Sequence, residues 1–135
     1  MKRVRSGFPE RTRRSRVTVS ARFAVDGSPG SFVLNLFGRT ELSAWYIDAK
    51  EAIVVTAERS DGVLCIVDVA AIAMPTLKEI VAAFGDQPKR VEVHFPPDRL
   101  AWDGTATPAQ TSTVLMVRGD LEPLEPFMIP ATASF

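Results

Sequence analysis

Residues 63–97, VLCIVDVAAIAMPTLKEIVAAFGDQPKRVEVHFPP, constrain this chain more than any other stretch. They carry a strand pattern, a helix pattern and a second strand pattern in succession. Residues 63–72 are apolar except for Asp68, and Val63, Ile66 and Val67 are β-branched. A continuous run of this kind suits a strand covered on both faces. Thr76 and Glu79 then have the spacing of a capping box, in which hydroxyl and carboxylate each accept an amide at the helix start. Leu77, Ile80, Val81 and Phe84 fall at i, i+3, i+4 and i+7, one face of a helix. Gly85 stands where a left-handed residue ends a helix, and Pro88 bars continuation. Val91, Val93 and Phe95 alternate with Glu92 and His94, the period of a strand. The 17 residues 73–89 are enough for the crossover a parallel pair requires. The stretch therefore predicts a βαβ unit.

Alternating patterns predict four antiparallel strands ahead of this unit, over residues 16–25, 31–37, 42–47 and 52–58. Turn clusters separate them, and Asp61-Gly62 is a hairpin signal before residue 63. Beyond Phe95, Pro96 and Pro97 stiffen the exit, and Leu100, Ala101 and Trp102 have room for one helical turn. Residues 111–118 read as a strand. Residues 127–135 are apolar, but Pro130 restricts them to an edge strand or a segment docked on another subunit. The fold class expected is α+β, with α/β-like character: a mixed, mainly antiparallel sheet holding one central strand–helix–strand unit. Residues 16–135 form one domain in this reading, and residues 1–15 a flexible basic arm.

Net charge is zero, yet unevenly spread. Lys2, Arg3, Arg5, Arg11, Arg13, Arg14 and Arg16 against Glu10 make residues 1–16 +6, and the remainder −6. A basic arm of this kind can serve nucleic acid, a membrane surface or its own acidic body. Only Phe8 interleaves the basic residues and no nucleic-acid motif follows, so nucleic acid is not the expected partner. No apolar run approaches the ~20 residues of a membrane span, and no secretory pattern follows the basic start. A cytoplasmic address is the expectation. Cys65 is the one cysteine, so neither a disulfide framework nor a cysteine zinc site is expected.

The order of strands, helix and parallel strand resembles the GNAT family of N-acetyltransferases. The residues that carry the resemblance are 63–71 for a central strand, 76–85 for its helix, 90–97 for the next strand, and 114–119 (VLMVRG) for a late strand. It covers roughly residues 42–135. The VLMVRG segment and its apolar tail also look like the non-catalytic C-terminal half of tandem acetyltransferases of the enhanced intracellular survival type. The resemblance implies a mixed sheet split near its middle, with acetyl-CoA held between central strand and helix. The family's loop there reads Arg/Gln-x-x-Gly-x-Gly/Ala, so that amides approach a pyrophosphate. Here the same place holds Ala71, Ile72, Ala73, Met74, Pro75 and Thr76, without glycine or a basic residue. The resemblance thus implies a degenerate module, and no cofactor is expected.

Among chemistry-bearing residues, His94 is the only histidine and has the reach of a general base near neutral pH. Against this stands a plain surface or hydrogen-bonded strand histidine. No second ligand stands at a metal-like spacing from it, so no metal is expected. Asp68 interrupts an apolar strand, a costly place for a carboxylate without partners. A strand-end position facing a cleft, a salt bridge, or bonds to turn amides would each account for it. Cys65, between Leu64 and Ile66, reads as core packing. Glu92 and Asp98 read as surface partners of Arg90 and Arg99, and Trp45, Tyr46 and Trp102 as core or interface residues.

Three functions follow as expectations. One is a non-catalytic acetyltransferase-like module acting in binding or in homo-oligomeric assembly, as a dimer. Another is a divergent enzyme using acetyl-CoA. The last is a small α+β protein whose basic arm recruits a partner or nucleic acid.

Overall fold

The structure, a computed structural model, describes residues 2–4, 41–57, 61–85, 87–102 and 104–108. The strands expected over residues 16–25, 31–37 and 111–118, and the apolar tail 127–135, lie outside the described residues. Among the described residues, five strands form one sheet: β1 (Lys2–Val4), β2 (Leu42–Ile47), β3 (Ala52–Ala57), β4 (Val63–Ala71) and β5 (Arg90–Val93), in that spatial order. A single-turn 3₁₀ segment, Asp48–Lys50, joins β2 to β3, and helix α1 (Leu77–Phe84) joins β4 to β5. The first three pairings are antiparallel, and β4 pairs with β5 in parallel. The sheet is therefore mixed and the chain α+β, with the strand–helix–strand unit at one side of the described sheet rather than its centre.

Local chemistry accounts for the helix ends. Thr76 accepts from the Glu79 amide at 3.2 Å, and the Glu79 carboxylate accepts from the Thr76 amide at 2.9 Å, completing the capping box. Gly85 closes α1 at φ 77°, a conformation that glycine adopts without a Cβ penalty. In the turn ahead of β4, Asp61 and Gly62 both take positive φ, 74° and 75°.

Two apolar clusters lie on the two faces of the sheet. On the α1 face, Leu77 and Ile80 pack with Val54, Ile66, Val69, Phe95 and Leu100. Trp45 faces the same side: its ring meets Phe84 edge-on at 5.5 Å, and its Nε1 donates to Thr56 Oγ1 at 3.0 Å. On the other face, Ala44, Ile53, Val55, Cys65, Val67 and Ala70 pack together. A doubly covered β4 is what its continuous apolar run requires.

Four expectations are corrected here. Lys2–Val4, read as part of a flexible arm, pairs with residues 44–46 of β2; three residues carry too little pattern to announce a strand. The strand expected over 90–95 ends at Val93, although the His94 amide still donates to Ile66 O at 2.9 Å. The helical turn expected at 100–102 is instead a turn over residues 98–101, with Ala101 at φ 49°. Asp68 does not end its strand. It lies inside β4, paired with Val55, while Thr56 pairs with Ile66, so Val67 is the extra residue of a β-bulge.

Candidate functional site

The parallel register of β4 and β5 assembles the densest group of chemistry-bearing side chains among the described residues. Cys65 lies opposite Glu92. His94 is two residues past Glu92, so both side chains project to the face that Cys65 occupies, away from α1. The backbone bond from His94 N to Ile66 O extends the ladder far enough to hold the imidazole beside the sulfur. Cys65 Sγ lies 3.3 Å from His94 Nε2, and Glu92 Oε2 lies 3.6 Å from the same nitrogen. The other carboxylate oxygen, Glu92 Oε1, meets Arg90 Nη2 at 3.2 Å, so Arg90 steers the carboxylate. All three ligand-type atoms fall within 4.8 Å of one another.

Burial grades across this group. Cys65 is 1% exposed, while the side chains of Glu92 and His94 retain 19% and 32% of their exposure. The cluster thus has a closed end at the sulfur and an open end at the carboxylate and imidazole. A nucleophilic cysteine must present its sulfur to a substrate, which this burial opposes. In a nucleophile–base–orienter triad, the orienting carboxylate holds the ring nitrogen remote from the nucleophile. Here sulfur and carboxylate both face Nε2, so the three groups converge on one region instead of relaying a proton along a line.

Among the residues singled out from sequence, His94 is therefore half-buried and hydrogen-bonded, not a plain surface residue. Cys65 is buried as expected, but in contact with His94. Arg90 and Glu92 pair as expected. Asp68 is 2% exposed, and its Oδ1 accepts from the Val69 amide at 2.7 Å, a local bond at the bulge. Its pairing with Val55 turns it to the face of Cys65 and Val67. Sequence reasoning passed over the association of Cys65 with Glu92 and His94. The Glu92-x-His94 spacing placed two polar groups on one strand face, but its relation to Cys65 depends on register.

The junction of β4 and α1 is filled by the chain itself. Ala71 and Pro75 are buried, Ile72, Met74 and Thr76 are half-buried, and Ala73 alone is exposed. Met74 packs against the α1-side core. The Leu77 amide donates to Leu100 O at 2.9 Å. Glu79 Oε2 accepts from the Thr76 amide and hydroxyl, and Oε1 meets Lys50 Nζ at 2.8 Å. These contacts, Lys50 first, hold the Glu79 carboxyl at a pKa of about 2, well below its ordinary value. Trp45 and Tyr46 are half-buried, while Trp102 is exposed and lies over Gly104, where an added Cβ would sit 2.4 Å from the ring.

Among the described residues, no helix is long and apolar enough to cross a membrane. Comparisons with protein-family models, curated proteins and solved structures give no match to this chain.

Proposed function

We propose that this chain works by binding or assembly and not by acyl transfer, as a non-catalytic module of acetyltransferase-like outline. The observation that carries this reading is the Glu79 carboxylate at the start of α1. In the family's usual arrangement, amides at that helix end face the cofactor's pyrophosphate, drawn there by unsatisfied N–H groups and the helix dipole. Here the Thr76 and Glu79 amides are bound within the capping box, and the Leu77 amide is bound to Leu100 O. Pro75 has no amide to offer. A pyrophosphate at this end would meet the Glu79 carboxylate and would find the Thr76, Leu77 and Glu79 amides already bonded.

Thermal denaturation with millimolar acetyl-CoA or CoA tests the proposal. The expected result is an unchanged Tm. A ligand that binds only the native state must raise it, so a dose-dependent rise would reject the proposal and favour a divergent enzyme using acetyl-CoA.

A further inference from the structure

We propose that Cys65, Glu92 and His94 form a site for a zinc-class divalent transition-metal ion. The inference is independent of the acyl-CoA question, because the three side chains lie on the sheet face opposite α1. The expectation that no metal binds rested on spacing along the chain. The parallel register brings the missing ligands to His94 from across a strand pair and along its own strand.

Distance is the first argument. Zinc bonds of about 2.3 Å to sulfur and about 2.0–2.2 Å to nitrogen and oxygen, at tetrahedral angles, put ligand atoms roughly 3.3–3.6 Å apart. Cys65 Sγ to His94 Nε2 is 3.3 Å, and His94 Nε2 to Glu92 Oε2 is 3.6 Å. Two edges of the tetrahedral face are therefore already set. The third, within 4.8 Å, closes by rotation about the Glu92 side-chain bonds.

Ligand chemistry is the second argument. One thiolate, one imidazole and one carboxylate suit zinc or cobalt, while magnesium and calcium prefer oxygen alone. Arg90 meets the Glu92 oxygen that does not face His94, which leaves Oε2 as the oxygen turned toward the site. Access agrees with this arrangement. The sulfur is at the buried end, and the half-exposed Glu92 and His94 leave a fourth position on the solvent side. Three protein ligands with one open position is the ligand count of zinc sites that bind water or a substrate oxygen.

The test uses the full chain, reduced with a phosphine so that no competing thiol is present. Cobalt is titrated in and the visible and near-ultraviolet spectrum recorded, then zinc is added. The expected result is one cobalt per chain, a thiolate-to-cobalt charge-transfer band, and ligand-field bands of four-coordinate intensity, all removed by zinc. Zinc should raise the Tm, and magnesium should not. Cys65→Ser should abolish the charge-transfer band. Glu92→Gln and His94→Gln should each weaken binding at least roughly tenfold, the smaller loss seen even for residues that only support ligands. Because these two positions are half-exposed, their variants decide the matter if Cys65→Ser fails to fold. No charge-transfer band in the wild-type chain would overturn the proposal. So would cobalt affinity unchanged in both Glu92→Gln and His94→Gln, or a magnesium shift equal to that of zinc.

Discussion

The Glu79 carboxylate accepts from the Thr76 amide and hydroxyl and pairs with Lys50. These contacts favour its charged form and lower its pKa from 4.5 to about 2. A folded-state pKa below the unfolded one gives stability that is present above the unfolded value and lost as pH falls through the folded value. The contribution should therefore be intact at neutral pH and fade between about 4.5 and about 2. Tm measured against pH for the wild type and Glu79→Gln checks this. The gap between them should be widest above about pH 5 and vanish near pH 2. Added salt should narrow it, because the pair is exposed. A gap independent of pH would show that charge is not the cause. Asp68 is the contrasting carboxylate: it is buried and bonds the next amide at the bulge. Its interruption of the apolar run was plain in the sequence. The face it takes, that of Cys65 and not that of α1, depends on the extra residue Val67, which leaves no local mark.

At the scale of elements, α1 was legible almost to the residue. Its cap, apolar stripe and terminal glycine are short-range features within ten consecutive positions, 76–85. The face they define packs as they imply, with Ile80 fully buried and Leu77, Val81 and Phe84 beside it. Ile80→Ala should destabilise the fold by about 2–5 kcal/mol and Ile80→Val by about 0.5–1.5 kcal/mol. Lys78→Ala, on the exposed side, should fall within about 0.5 kcal/mol. Equilibrium denaturation by urea measures all three. A cost for Ile80→Ala no larger than for Lys78→Ala would mean that α1 does not contribute to the core. The strands β2, β3 and β4 also followed from alternation and apolar runs. The shortfall in β5 has a physical reason: Phe95 continues the buried period although strand geometry has ended, and burial pattern alone does not separate the two.

For the whole molecule, the described sheet ends at β1 and β5, and outer strands are where a second copy can add to a sheet. Cyclic dimers are the commonest form of homo-oligomer. The assembly half of the proposed function therefore predicts twice the chain mass by light scattering at high concentration. A monomer at every concentration would remove self-assembly and leave binding to another molecule.

Periodicity, capping and turn chemistry are local, and through them the sequence alone determined the helix, four of the five described strands and the parallel sense of the crossover. It also marked His94, Asp68 and the glycine-free junction as places to examine. Only tertiary structure decided that Lys2–Val4 joins the sheet, that a bulge turns Asp68 to the face of Cys65, and that Cys65 stands opposite Glu92 with His94 beside it. Register is the reason. Side chains alternate with a period of two, so a slip of one residue would move Cys65 to the α1 face and separate it from both partners. Packing of the two apolar clusters on opposite faces sets that register, through contacts distant in sequence.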